Sequence, residues 1–117
     1  MTVYVVQESM RRDPNTRELV PVHDLTPARV FGDVVVLLSP SAMPFGQCSG
    51  IVSELHDKLS KYDAERDWIL PMGNPVLIGW AMAVATEYGE GRVRALVWNS
   101  RTKRYTPTDA QIFDCQP

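Results

Sequence analysis

The sequence predicts a small α/β protein. It should hold a mostly parallel sheet of four or five strands with packed helices, Rossmann-like in the broad sense, with a C-terminal antiparallel hairpin at one edge. Three observations carry this expectation. From residue 33 onward, apolar runs and helical patterns follow one another as strand, helix, strand, helix, strand. The connections hold helices of about a dozen residues, the length a parallel crossover needs. The stretch 75–85 is apolar nearly all round, as expected of a helix buried on more than one side.

The elements follow in chain order. Residues 2–7 are rich in β-branched and aromatic side chains and read as a first strand. Residues 8–20 are polar, with Arg11, Arg12, Asp13, Pro14 and Asn15, and read as a mobile loop or hairpin excursion. Thr26-Pro27 signals a helix start, Thr as cap and Pro at the first helical position, with a stop at Gly32. The run Val34-Val35-Val36-Leu37-Leu38 is continuously apolar and predicts a strand covered on both faces. Residues 39–47, with Pro40, Pro44 and Gly46, are a loop. Residues 49–62 form an amphipathic helix: Ile51, Val52, Leu55, Leu59 and Tyr62 share one stripe, and Glu54 and Lys58 form an i,i+4 pair.

A short strand is expected over 67–71. Asn74 and Pro75 are then an N-cap and a first helical residue, opening the apolar helix. Gly79 and its alanines should let that helix approach the sheet closely, and Gly89 and Gly91 end it. Residues 92–98 read as a strand, 99–103 as a polar turn, and 104–105 and 112–113 as short extended pieces. Where the first strand inserts is left open by the sequence.

The composition sets limits. The chain has 117 residues, 44% hydrophobic and 22% charged, with a formal net charge of −2. These values suit one globular domain over 1–117 and exclude collagen-like, coiled-coil and disordered classes. The first residues lack a basic segment and a long apolar segment, so no signal peptide is expected. The apolar stretch 75–85 is about half of a membrane span. A cytoplasmic location without membrane contact follows as an expectation. Cys48 and Cys115 are far apart, without metal-ligand spacing, and are expected to be reduced thiols.

Charge is unevenly distributed. Residues 31–91 carry three bases and eight acids, whereas residues 92–117 carry five bases and two acids. Those five bases are Arg92, Arg94, Arg101, Lys103 and Arg104, and Trp98 and Tyr105 interleave with them. A twisted hairpin of this composition can hold an acidic protein surface, or hold phosphates and stack bases. It can also be no more than a solvated hairpin. Arg92, Arg94, Arg101, Lys103, Arg104 and Tyr105 are therefore the candidate macromolecule-binding residues.

A second candidate is the turn Pro71-Met72-Gly73-Asn74-Pro75, which links a strand to a helix. In open α/β sheets ligands bind beyond the carboxyl ends of strands, and helix N-termini attract anions. Ser39, Ser41, Gly73, Asn74 and Asn99 would share that edge and could bind a small molecule or nucleotide. Against this, no phosphate-binding glycine motif is present, and a capped turn is generic structure. His23 and His56 have no partner at metal spacing, Cys48 lacks an implied catalytic histidine, and no nucleophile elbow exists. Asp63, Glu65 and Asp67 surround Arg66 and read as a solvated loop. No metal, cofactor or catalytic residue is expected.

Several stretches resemble small uncharacterised proteins encoded by tailed bacteriophages. They are Val3-Tyr4-Val5-Val6-Gln7-Glu8, Phe31-Gly32-Asp33-Val34-Val35-Val36-Leu37-Leu38, Leu70-Pro71-Met72-Gly73-Asn74-Pro75-Val76-Leu77-Ile78-Gly79, Val97-Trp98 and Arg104-Tyr105-Thr106-Pro107. Together they cover under half the chain. In the proteins it resembles an Asp often follows the glycine, where this chain has Asn74; either residue can cap a helix. The resemblance implies phage origin, a host-cytoplasm setting and an accessory role, and it carries over no catalytic residue. The expected function is non-enzymatic binding of a macromolecule, foremost a host protein that is inhibited or redirected. The alternatives are small-molecule binding at the Gly73–Asn74 turn and nucleic-acid binding by the hairpin. Pairing of exposed sheet edges would allow a homodimer.

Overall fold

A computed structural model describes residues 1–114. Its main sheet has five strands in the order β4-β1-β5-β6-β7. These are β1 (Thr2–Gln7), β4 (Asp33–Leu38), β5 (Trp68–Leu70), β6 (Arg92–Asn99) and β7 (Arg104–Gln111). The first four are mutually parallel, and β7 returns antiparallel to β6. The expected mostly parallel α/β sheet with its terminal hairpin is thus present. Residues 8–20 fall in a small separate hairpin of β2 (Met10–Arg12) and β3 (Leu19–Pro21).

Two apolar layers hold the sheet. On one face Tyr4, Val6, Leu37 and Ile69 meet Leu55 and Leu59 of α1 (Ser49–Leu59) and Leu77, Ala81 and Ala85 of α2 (Pro75–Tyr88). On the other face Val3, Val5, Leu70, Leu96 and Tyr105 pack with Ala28. Ala28 lies in a 3-10 helix over Thr26–Phe31, which covers this face in place of a full helix. Leu55, Leu59 and Tyr62 of the predicted stripe are buried, although α1 ends before Tyr62. Asn74 caps α2 by accepting from the Val76 N–H at 2.9 Å, with Pro75 in the first turn, as the spacing predicts.

The structure corrects four details. The apolar run of β4 lies at a sheet edge, not at its centre, and Val35 is 41% exposed. The doubly covered strand is β1, buried from Val3 through Gln7. At the β4 edge, Lys58 donates to the Leu37 carbonyl at 2.7 Å and so covers a backbone group. Thr26 does not cap the 3-10 helix; Asp24 Oδ1 accepts the Thr26 N–H at 2.9 Å. Gly79 faces open space instead of the sheet, so α2 is buried along one side only.

Finally, β7 is one continuous strand through Thr106-Pro107, and Ile112–Phe113 lie beyond it. Proline breaks a ladder only where its N–H is needed, and β7 is an edge strand. Cys115 lies outside the described residues. No helix among the described residues is long and apolar enough to cross a membrane.

Candidate functional site

The strand order makes β1 a switch point. The chain leaves β1 for the β4 side, then crosses to β5 on the other side. In such sheets the crevice beyond the strand ends is the usual ligand seat. Here a side chain of the protein occupies it. Gln7, the last residue of β1, is buried. Its Nε2 donates to the carbonyls of Ser39 at 3.0 Å and Ala42 at 2.8 Å, and its Oε1 accepts the Asn74 N–H at 2.9 Å. Its backbone N–H donates to the Met72 carbonyl at 3.1 Å. One amide therefore ties the loop after β4 to the loop after β5.

This places the residues of the strand-to-helix candidate. Ser39, Gly73 and Asn74 do gather around one point, with Ser41 Oγ 2.9 Å from Ser39 Oγ. Gly73 has φ +111°, and a Cβ there would lie 2.5 Å from the Gln7 Cβ. Its glycine is thus required by the Gln7 seat. Asn74 and Val76 have their N–H groups satisfied internally, which leaves the start of α2 little to offer an anion. Asn99 sits elsewhere: its Oδ1 accepts the Arg101 N–H at 2.9 Å and shapes the hairpin turn. Sequence reasoning missed Gln7. The available signal was one long polar side chain ending an apolar strand.

The five cations of the β6–β7 hairpin divide into two groups. Arg92 is held by Asp109 at 2.6 Å and by Glu65 at 3.1 Å. Arg94 lies over the Trp68 ring, with Cζ 3.7 Å from its centroid, and its Nε donates to the Asp67 carbonyl. Both are engaged by partners within the chain, Arg92 at the surface and Arg94 partly buried. Arg101, Lys103 and Arg104 stand exposed at the hairpin tip, and none forms an ion pair among the described residues. Trp98 is 45% exposed beside them, edge-to-face with the buried Tyr105 at 5.0 Å.

The Arg92–Asp109 pair has a checkable signature. Hydrogen bonding from the Arg92 guanidinium holds the Asp109 carboxyl below its ordinary range. A depressed carboxyl pKa means the pairing contributes above the unfolded pKa and is lost as pH falls through the folded one. Carboxyl-carbon NMR titration should find the Asp109 midpoint below the usual aspartate value of about 3.9. In Arg92→Ala it should return to that value.

Beside the hairpin, a cleft of about 650 Å³ opens on the face carrying the 3-10 helix. Leu70, Met72, Leu96, Trp98, Lys103 and Tyr105 line it together with Val22 and Asp24 from the approach to the 3-10 helix. Burial, and then the nearby Asp24 carboxylate, push the Tyr105 hydroxyl above its ordinary pKa, so it stays protonated at neutral pH. The cleft joins parts of both candidate sites, Gly73 from one and Lys103 and Tyr105 from the other.

The remaining polar residues are absorbed locally. His56 Nδ1 lies 3.1 Å from Tyr88 Oη. Cys48 Sγ rests against the Phe45 and Gly46 carbonyls. Asp67 accepts the N–H groups of Thr2 and Asp63, and Asp63 accepts that of Glu65. The acidic segment is therefore a hydrogen-bonded turn with one arm on Arg92. Among the described residues no three His, Cys, Asp or Glu side chains group as a metal site.

An open five-stranded sheet whose central crevice is filled by its own glutamine, with hairpin-tip cations that form no ion pair among the described residues, defines the chain as a small α/β protein. It belongs to the family described as Phage Pam3 gp32-like protein, whose model matches residues 1–112. The chain is therefore a phage protein, and the match runs well past the short segments of resemblance. No match was found among curated proteins or solved structures.

Proposed function

We propose that this phage accessory protein acts by binding rather than catalysis, and that the tip of the β6–β7 hairpin engages an acidic surface of a host protein in the host cytoplasm. Binding there would inhibit or redirect that protein. The observation that carries this reading is the set of three tip cations without ionic partners among the described residues, next to a half-exposed tryptophan. Exposed cations beside an aromatic anchor are what an electrostatically matched interface uses. With Arg92 and Arg94 committed to the fold, three cations on a chain of net charge −2 offer a weak footing for a phosphate backbone. The internal satisfaction of Asn74 and Val76 likewise weakens a nucleotide reading at the Gly73–Asn74 turn.

The test compares capture from nuclease-treated host lysate by the wild type and by the triple variant Arg101→Glu, Lys103→Glu, Arg104→Glu. Wild type should retain a protein at moderate salt that the variant loses, with Arg92→Ala behaving as wild type. If nothing is retained, or the triple variant retains the same protein, the reading fails. Capture that disappears with nuclease and falls steeply with salt would assign the tip to nucleic acid instead.

A further inference from the structure

The tip cations and the cleft are one continuous surface. Lys103 and Trp98 belong to both. The cleft is mostly apolar, with Leu96 and Leu70 buried at its base and the Trp98–Tyr105 pair as a rigid aromatic wall. Met72 adds an adaptable thioether to the same wall. Its volume of about 650 Å³ leaves ample room for one large side chain and the backbone that carries it. Besides Ser9, His23 and Tyr105, the lining carries Lys103 and Asp24, which are of opposite sign. Lys103 stands toward the tip group, whereas Asp24 is fixed by the Thr26 N–H beside the 3-10 helix.

We propose that this cleft receives an aromatic or long apolar side chain of the bound partner, while a neighbouring carboxylate of the same segment pairs with Lys103. The inference rests on the hairpin-tip reading and names the partner chemistry more closely: an acidic peptide segment with one apolar anchor. Charge complementarity selects the segment, and burial of the anchor supplies most of the affinity.

The probe is a short peptide with a central phenylalanine flanked by glutamates, compared with the same peptide carrying serine at the centre. Affinity is read by fluorescence anisotropy at low salt. Full burial of a phenylalanine side chain is worth enough to make the first peptide bind about tenfold tighter or more. Val22→Trp, which fills the mouth of the cleft, should reduce the two peptides to equal affinity without removing the binding due to charge. The phenylalanine peptide should also change tryptophan emission, and Trp98→Phe should remove that change, a readout that holds even if Val22→Trp folds poorly.

Equal affinity of the two peptides for the wild type would overturn the cleft assignment. So would failure of both to bind. If tip reversal still abolished lysate capture in either case, the hairpin-tip reading would stand alone. Loss of capture sensitivity together with lost peptide discrimination would remove both.

Discussion

Replacing Gln7 with leucine should lower stability by about 3 kcal/mol, because it strands partly buried polar groups on both of the loops that the glutamine joins. The Ala42 carbonyl loses its donor, the Ser39 carbonyl keeps only the Ala42 N–H, and the Asn74 N–H loses its acceptor. Each buried orphan costs about 1–3 kcal/mol, offset in part by the apolar side chain and by water reaching the loops. For a domain of this size the expected fall in thermal midpoint is about 10 °C. Gln7→Glu adds a test of sign. A carboxylate facing two carbonyls is disfavoured, so its folded pKa rises above the unfolded value of about 4.3. The deficit of that variant should be smallest in acid and should grow as pH rises through the raised pKa. Thermal melts across pH check this. A variant whose deficit is independent of pH would show that the side chain does not sit among the carbonyls.

Gly73→Ala should cost a comparable amount, about 2–4 kcal/mol. Two causes add. The φ of +111° is one that L side chains rarely adopt, and the new Cβ would press on the Gln7 Cβ at 2.5 Å. Asn74→Ala, one residue on, removes only a helix cap and should cost about 1 kcal/mol. Denaturant unfolding distinguishes the two positions. Similar costs at both would mean that the turn serves the cap, whereas a clear excess at Gly73 would mean that it serves the glutamine.

These residues also mark how far the sequence was legible. Periodicity and caps located α1, α2, β1, β4, β5 and β6 within a few residues, because Leu55 and Leu59 keep helical spacing and Asn74-Pro75 is a local signal. Lateral placement was not legible. Val34–Leu38 and Val3–Val6 are both apolar runs, and nothing local says that the first ends at an edge while the second lies between two neighbours. The strand β7 was read too short because Pro107 stops a central strand but not an edge strand. Gly79 was assigned to close packing, yet it is the direction of its face, set by the tertiary fold, that decides this.

The candidate site followed the same division. The cluster of hairpin cations was visible as a run, but which of them are spent depends on distant residues: Glu65 and Asp109 for Arg92, Trp68 for Arg94. The cleft was invisible because Val22, Met72 and Trp98 come from separate parts of the chain. Each of those pairings is a long-range event that no window of sequence contains.

The central place of β1 has a further consequence, for the nascent chain. This strand is made before both of its partners: it pairs with residues 33–38 on one side and 68–70 on the other, and its terminal glutamine waits for Asn74. Such distant closures are slow steps in folding. Until the start of α2 has emerged, an apolar segment buried on both sides in the finished protein stays without its second neighbour. Translation must therefore run past residue 70 before the centre of the sheet can close, and the exposed interval belongs to the strand that the finished protein buries most completely.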